Sequence, residues 1–112
     1  MQTKTYDTYG IKDMGLEDAA KKLSDALDIE MKERDSSFKG LYYCFSNFDT
    51  HETFELLENF NEFEEDFLWE EYEEFALIFE YGTFKDPDIY KEKILLKLPN
   101  ATFLDRNTYE KE

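Results

Sequence analysis

The sequence offers few side chains that could act as a catalytic base or nucleophile near neutral pH. His51 is the single histidine, and it lies in a polar stretch between Asp49 and Glu52. An unperturbed histidine can exchange a proton at physiological pH, but no serine or cysteine stands with it in a nucleophile motif. A surface turn residue or an interface contact is the favoured interpretation of His51, and we expect no enzyme activity.

Cys44 is the only cysteine, so no disulfide can form within the chain. It lies in the apolar run LYYCF, residues 41–45, where a buried structural cysteine is more common than a reactive one. A lone thiol is typical of a reducing compartment. The start MQTKTYDTYG lacks the apolar core of a secretion signal, and no apolar run is long enough for a membrane span. We therefore expect a cytoplasmic protein.

The carboxylates are numerous, but the patterns that build cofactor or metal sites are missing. Asp86-Pro87-Asp88 is better explained as the start of a helix than as a calcium loop. One cysteine and one histidine cannot form a structural zinc site, and with four glycines there is no Gly-rich phosphate loop. We expect neither a metal nor a cofactor.

The chain carries far more acid than base. Its 112 residues include 28 Asp and Glu against 13 Lys and Arg, which gives a formal net charge of −15. Binding to nucleic acid or to anionic membranes relies on Lys and Arg, so both are disfavoured. A large net charge opposes folding by self-repulsion, and its expected use here is to bind a basic protein partner.

The acid is concentrated together with aromatic rings. Between Lys39 and Lys85 there is no Lys or Arg, yet this window holds 13 of the 28 acidic residues and 14 of the 20 aromatic ones. Its centre is FNEFEEDFLWEEYEEF, residues 60–75. A helix would be penalised here because no Lys follows the carboxylates at i+4. We assign Phe75 to the core and Trp69, which lies among acids, to the surface.

We interpret this stretch as a protein-binding surface, and a solvated face that only confers solubility is the alternative. Rings supply anchors at interfaces, and charge supplies steering and selectivity. The predicted partner-binding residues are Glu62, Glu64, Glu65, Asp66, Glu70 and Glu71 for charge, with Trp69 and Tyr72 as anchors. Asp49 and His51 come second, because their turn is expected at the same end of the sheet.

Hydrophobic spacing predicts the elements that position these residues. A helix is predicted from Leu16 to Asp28, and alternation through Leu27, Ile29 and Met31 then predicts a strand. After a turn, residues 41–45 form a strong strand, so the two strands are expected to pair as a hairpin.

The second half of the chain continues the alternation of strands and helices. Residues 52–59 are predicted as a strand, with a helix as the alternative, and residues 75–84 as a central strand that is apolar on both faces. Asp86 and Pro87 are the predicted N-cap and first residue of a helix, and a short strand follows at residues 101–106.

The expected fold is a single α+β domain over residues 1–112. It has a mainly antiparallel sheet of about five strands and two helices, in the order α-β-β-β-β-α-β. Residues 1–13 and 107–112 are expected as loose arms, with a short edge strand as the alternative for the first of them.

The order of these segments resembles small immunity proteins of bacterial polymorphic-toxin systems, including contact-dependent growth inhibition. It is carried by DALDIEMKERDSSFKGLYYCFS, ETFELLENF, FALIFEY, DPD and FLDR, roughly from Leu16 to Arg106. Its most specific part is a Ser-aromatic-Gly turn before a Tyr-Tyr strand. The matching residues are Ser36, Ser37, Phe38, Gly40, Tyr42 and Tyr43. Inhibitory residues in this group differ from pair to pair, so none transfers to this chain.

The resemblance implies a cytoplasmic protein that binds one toxin domain and neutralises it, with an expected stoichiometry of 1:1. Many such toxins are nucleases, whose clefts are basic because they hold phosphates, and an acidic surface could occupy such a cleft. The alternative is a phage-type acidic mimic of nucleic acid that inhibits a host DNA-binding enzyme.

Overall fold

Two helices lie on one face of an antiparallel sheet in the computed structural model, which describes residues 2–36, 40–61 and 65–111. The helices are α1 (Leu16–Leu27) and α2 (Pro87–Lys97). The strands are β1 (Gln2–Ile11), β2 (Lys32–Ser36), β3 (Gly40–Asn47), β4 (Glu52–Glu58), β5 (Phe60–Asn61), β6 (Asp66–Phe67), β7 (Leu77–Thr83) and β8 (Ala101–Lys111).

Six strands form the main sheet in the spatial order β2-β3-β4-β7-β1-β8, and β5 pairs with β6 separately. All neighbouring strands are antiparallel. The predicted α+β class, with two helices on a mainly antiparallel sheet, is confirmed. The main sheet has one strand more than expected, because β1 belongs to it.

The predicted elements in the middle of the chain are confirmed. Residues 52–59 contain β4, so the helical alternative is wrong. β7 is central and is buried on both faces, as its largely apolar sequence indicates. The start of α2 is capped as predicted: Oδ1 of Asp86 accepts the backbone N–H of Asp88 at 3.0 Å, and Pro87 is the first helical residue.

The main core lies between the helices and the sheet. From α1 and α2 it contains Ala19, Ala20, Leu23, Leu27 and Ile94. From the sheet it contains Tyr9, Ile11, Phe54, Leu56, Leu77, Phe79 and Tyr81. Side chains alternate between the two faces of a strand, so Leu57 and Ile78 are buried on the opposite face, in a second cluster with Phe75.

The strand predicted through Leu27, Ile29 and Met31 is wrong. α1 runs to Leu27 and ends at Asp28, whose φ of 54° places it in the left-handed region. The backbone N–H of Ile29 then donates to the carbonyl of Ser24 at 3.0 Å. Ile29 and Met31 pack on the main core from this reversal, so their alternation reflects the exit from a helix, and the strand begins only at β2.

The two ends of the chain are paired strands rather than loose arms. β1 and β8 pair from Gln2 with Lys111 to Ile11 with Ala101, with one irregularity between Thr8 and Tyr9. β1 also pairs with β7 on its other side, so it is an internal strand. The polar sequence of β1 did not predict an internal strand, because some of the residues that β1 buries are polar.

Asp7 is the charged residue that β1 buries. Arg106 donates Nε to Oδ1 and Nη2 to Oδ2 of this carboxylate at 2.8 and 3.0 Å, and the hydroxyl of Tyr81 donates to Oδ2 at 2.7 Å. Nη2 of Arg106 also reaches Asp88 of α2 at 3.0 Å. Burial is the main reason why the pKa of the neighbouring Tyr9 is raised to about 12. The ion pair therefore links β1, β8 and α2 through the buried carboxylate of Asp7.

Glu52, at the start of β4, is a second buried carboxylate. It accepts hydrogen bonds from the hydroxyls of Tyr90, Thr83 and Thr50 at 2.6, 2.7 and 2.8 Å, and Nζ of Lys85 lies 3.6 Å away. Burial alone would raise the pKa of Glu52, but these three donors and the lysine together lower it. The carboxylate joins β4 and β7 to α2 in its ionised form.

The lowered pKa of Glu52 predicts a loss of stability in acid. In the unfolded chain the carboxyl takes up a proton near its ordinary pKa of 4.5, whereas the folded state resists it to lower pH. The stability that Glu52 contributes is thus present above pH 4.5 and falls as the pH passes through the folded pKa. Glu52→Gln should lower the free energy of unfolding near neutral pH by about 1–3 kcal/mol, and by progressively less in acid.

Urea denaturation over a series of pH values measures this difference. Glu92→Gln is the matched control, because Glu92 is exposed on α2. A difference between wild type and Glu52→Gln that stays constant with pH would contradict the assignment.

Candidate protein-binding surface

The connection from β4 to β7, residues 59–76, is called the acidic segment below. Its described part contains the pair β5–β6 and a short 3₁₀ helix, Glu70–Tyr72. It packs on the face of the sheet opposite the helices, over Leu57 and Ile78. The stretch that stood out in the sequence therefore covers part of the second face of the sheet.

Asn59 is fully buried and organises the acidic segment. Its Oδ1 accepts the backbone N–H of Trp69 at 2.8 Å. Its Nδ2 group donates to the carbonyl oxygens of Tyr72, Phe75 and Trp69 at 2.9, 3.2 and 3.3 Å. Because a backbone N–H only donates and a carbonyl only accepts, this position requires a side chain with both a donor and an acceptor.

The backbone of Asn59 adds two further links. Its N–H donates to the carbonyl of Ala76 at 2.9 Å, and its carbonyl accepts the N–H of Leu68 at 2.7 Å. One residue thus joins the start, the middle and the end of the acidic segment.

Phe75 fixes the end of the acidic segment to β1. Its ring lies over Gly10, where a Cβ atom would come within 2.6 Å of the ring carbon Cδ1. Lys12 holds the same corner, with Nζ 4.9 Å from the centre of the Phe75 ring and 3.5 Å from the carboxylate of Glu74. The prediction that Phe75 belongs to the core is confirmed.

Trp69 is half-buried, and its predicted exposure is wrong. Its ring packs on the second cluster, beside Leu57 and Ile78, and its backbone is held by Asn59. Trp69 lies among acids in the sequence, but the irregular chain at this point places its ring against the sheet. The tryptophan has a structural role that the sequence pattern did not show.

Four of the predicted carboxylates lie together on the outside of the acidic segment. Glu65, Asp66, Glu70 and Glu71 are all exposed. Glu73 and Glu74 are exposed beside them, and the ion pair of Glu74 with Lys12 is the one that the described residues make with this group. The predicted residues Glu62 and Glu64 lie outside the described residues.

Tyr72 lies among these carboxylates and is half-buried. Burial is the first cause that raises the pKa of its hydroxyl, and the charges of Glu71 and Asp105 raise it further. Asp105, at the exposed side of β8, thus extends the negative field from the acidic segment onto the sheet. A cation placed near Tyr72 would meet carboxylates from two separate elements.

Among the described residues of the acidic segment, two large apolar side chains are exposed. Phe60 is 45% exposed and Leu68 38% exposed. Phe60 also contacts Phe67 across the β5–β6 pair, ring edge to face at 5.3 Å between centroids. The apolar area available to a partner therefore comes from Phe60 and Leu68 more than from Trp69.

Asp49 and His51 are not near this surface, so the reason for grouping them with it is wrong. Their turn precedes β4, and the acidic segment follows β4. Pairing with β7 runs from Thr53 with Gly82 to Glu58 with Leu77, so the two sites lie at opposite ends of the sheet. They are roughly 20 Å apart, at about 3.3 Å per residue of strand.

The sequence reasoning missed Asn59, Phe60 and Leu68 as functional or organising residues. Asn59 carried a weak signal, because an amide between an apolar strand and an acidic loop is unusual unless its side chain is satisfied.

Cys44 is half-buried on β3 rather than fully buried.

Among the residues that the structure describes, no group of His, Cys, Asp and Glu is arranged to hold a metal ion. Within that same part of the chain, neither helix is long and apolar enough to cross a membrane. No protein-family model matches the chain, and no curated protein matches its sequence.

Asn59→Asp should unfold or loosen the acidic segment. The carboxylate keeps the bond to the N–H of Trp69 but faces three carbonyl oxygens without a donor, so we expect a loss of about 3 kcal/mol or more in the free energy of unfolding. Urea denaturation followed by fluorescence of Trp69, the single tryptophan, and by far-UV circular dichroism measures the local and global effects.

Asn47→Asp is the matched control for Asn59→Asp. The Asn47 side chain accepts the N–H groups of Asp49 and Thr50 through Oδ1, so a carboxylate there keeps both acceptor roles. Equal stability losses in the two variants would contradict the role assigned to Asn59.

Gly10→Ala should displace Phe75, because the ring occupies the space of the new methyl group. We expect a loss of about 1–3 kcal/mol, as for other overpacked sites, together with a change in Trp69 emission. Gly15→Ala is the control, since nothing lies within 4 Å of a Cβ atom there. If both variants behave like wild type, the packing of Phe75 on β1 is incorrect.

Proposed function

We propose that the protein is a cytoplasmic, non-catalytic immunity protein that binds and neutralises a basic toxin domain, with a nuclease domain as the favoured partner. The observation that carries this proposal is the outer side of the acidic segment. Carboxylates stand there next to exposed apolar side chains, on a backbone held in place by Asn59, and among the described residues Glu74 is the one of them that pairs with a cation.

The electrostatic part of the proposal rests on Glu65, Asp66, Glu70 and Glu71, which are exposed. Like charges crowded on one short segment repel each other, so they are retained at a cost in stability. A basic surface relieves this repulsion on binding and is attracted over a distance of about 10 Å at moderate salt. Fast capture is useful against a toxin that must be neutralised before it acts.

The apolar part of the proposal rests on Phe60 and Leu68. Protein interfaces gain most of their affinity from a few apolar or aromatic anchors surrounded by polar groups. The two exposed side chains have this setting, with carboxylates around them. Trp69 and Tyr72 then act beneath the surface, where they support its shape and contribute their edges to the contact.

The resemblance of the segment order to immunity proteins of polymorphic-toxin systems supports the same class. A nuclease cleft is basic because it binds phosphates, and carboxylates spaced along a segment can occupy the positions of those phosphates. A compact cluster mixed with apolar side chains fits one cleft better than it fits an extended imitation of a duplex.

We expect a large secreted protein to be encoded next to this chain, and the test is co-expression with its C-terminal domain. We expect that domain to be toxic alone and harmless with the wild-type protein, and the two proteins to purify as a complex. Neutralising the outer carboxylates should slow association at least about tenfold and reduce its salt dependence, because steering is lost. The variant carries Glu65→Gln, Asp66→Asn, Glu70→Gln and Glu71→Gln.

A control of equal net charge separates this surface from the overall charge. Its changes lie at exposed acids outside the acidic segment: Asp18→Asn, Asp25→Asn, Glu30→Gln and Glu92→Gln. Association that is equally slow in the two variants would show that only net charge matters. A neighbour without a toxic domain, or a toxic domain that this chain neither binds nor neutralises, would contradict the proposal.

A further inference from the structure

The main sheet has two edges, and they differ in length and in charge pattern. One edge is β2, which spans five residues, and the other is β8, which spans eleven. Between Asp105 and Lys111, β8 pairs with β1 without a shift of register. This half of β8 therefore presents a regular row of backbone groups on its outer side, which is the arrangement that accepts a further strand.

The charge of β8 is balanced, in a chain with a net charge of −15. Asp105 and Glu110 are matched by Arg106 and Lys111. The excess of acid is concentrated in residues 40–84, where two copies of this chain would repel each other. The outer edge of β8 is a place where a second copy meets both signs of charge.

Strand geometry restricts how an edge can pair with a copy of itself. In an antiparallel ladder, residues directly opposite each other either both point their backbone groups at the partner strand or both point them away. These orientations alternate along a strand. Two copies of one edge can therefore pair only even positions with even and odd positions with odd.

We propose that two copies of the chain associate through β8, antiparallel and in register about Thr108. In this register Arg106 lies opposite Glu110 and Asp105 opposite Lys111, and each pair occurs twice around the two-fold axis. Shifting the register by one permitted step toward Ala101 places Asn107 opposite itself and separates these charges. The next step places Arg106 opposite Arg106.

Three of the four charged residues at this edge have described side chains, and each of them has a group that can reach a partner strand. Glu110 and Asp105 are exposed. Arg106 donates Nε and Nη2 to Asp7 and Asp88, and its guanidinium has further N–H groups for a partner's carboxylate. Cross-strand pairs of opposite charge stabilise a sheet, whereas like charges directly opposite destabilise it.

The other edge of the sheet, β2, lacks this complementarity of charge. In β2 the permitted registers centred on residues 32 to 35 place Lys32 opposite Arg34, or Glu33 opposite Asp35, or a charged residue opposite itself. Each of these opposes like charges. The arrangement protects β2 against self-pairing, as charged edge strands commonly do, and it leaves β8 as the edge that accepts a second copy.

The dimer would be a continuous sheet of twice six strands, with the helices of both copies on one side. The acidic segment reaches β1 at Gly10, whereas Thr108 pairs with Thr5. On β1 this contact lies roughly 17 Å from the two-fold axis, whereas Asp105, whose charge acts on Tyr72 of the acidic segment, lies roughly 10 Å from it, at about 3.3 Å per residue. This dimer does not depend on the proposed function.

Sedimentation equilibrium of the full chain, up to about 1 mM, measures the association. We expect a monomer–dimer equilibrium for the wild type. The double variant Glu110→Lys/Lys111→Glu has the same composition and net charge but opposes like charges in the proposed register. Its association should be weaker by at least about tenfold. Far-UV circular dichroism checks that it folds.

Cysteine cross-linking tests the register independently. Thr108→Cys faces its own copy on the two-fold axis, within the range of Cα separations that a disulfide spans, so mild oxidation should give a covalent dimer. Asn107→Cys lies opposite Tyr109 and should cross-link far less. Both variants carry Cys44→Ser, to remove the native thiol.

A wild type that stays monomeric over the whole concentration range would overturn the proposal. So would a dimer that the double variant forms equally well, or one in which Asn107→Cys cross-links as efficiently as Thr108→Cys. Association beyond a dimer would point to another surface and would overturn it too.

Discussion

One buried amide determines the path of the acidic segment. The carboxylates of that segment repel each other, and no helix or long hairpin supplies its described residues with a regular ladder of hydrogen bonds. Asn59 compensates by bonding to backbone groups of Leu68, Trp69, Tyr72, Phe75 and Ala76. Buried polar groups of this kind stabilise a structure only when every donor and acceptor is used. The candidate binding surface thus depends on Asn59, which is buried beneath it.

The opposite face of the sheet is fixed by buried ions. Asp7 with Arg106, and Glu52 with its three hydroxyl donors, join the strands to α2. A buried carboxylate is expensive to desolvate, and it favours one arrangement of its partners because others leave a charge unpaired. The two faces therefore use different chemistry: ionised carboxylates orient the helix, and a neutral amide orients the segment that carries the exposed charge.

The sequence predicted the fold class, the central strands and the capped start of α2, because each depends on local spacing or on a short capping pattern. The inner position of β1 could not be read in this way, since its burial includes Asp7, whose partner Arg106 lies at the other end of the chain. The exposed carboxylates were identified from composition alone. The partial burial of Trp69 and the distance of His51 from the acidic segment depend on which strands pair. The spacing of apolar residues along the sequence does not encode that pairing.

The position of β1 has a consequence for how the chain folds during synthesis. β1 is made first, yet both strands that pair with it, β7 and β8, lie in the last third of the sequence. The meander β2-β3-β4 can form from local contacts at a stage when β1 is still unpaired. Long-range strand pairing of this kind slows folding, and an unpaired strand leaving the ribosome is open to aggregation. The largely polar sequence of β1 opposes such aggregation until β7 and β8 have been made.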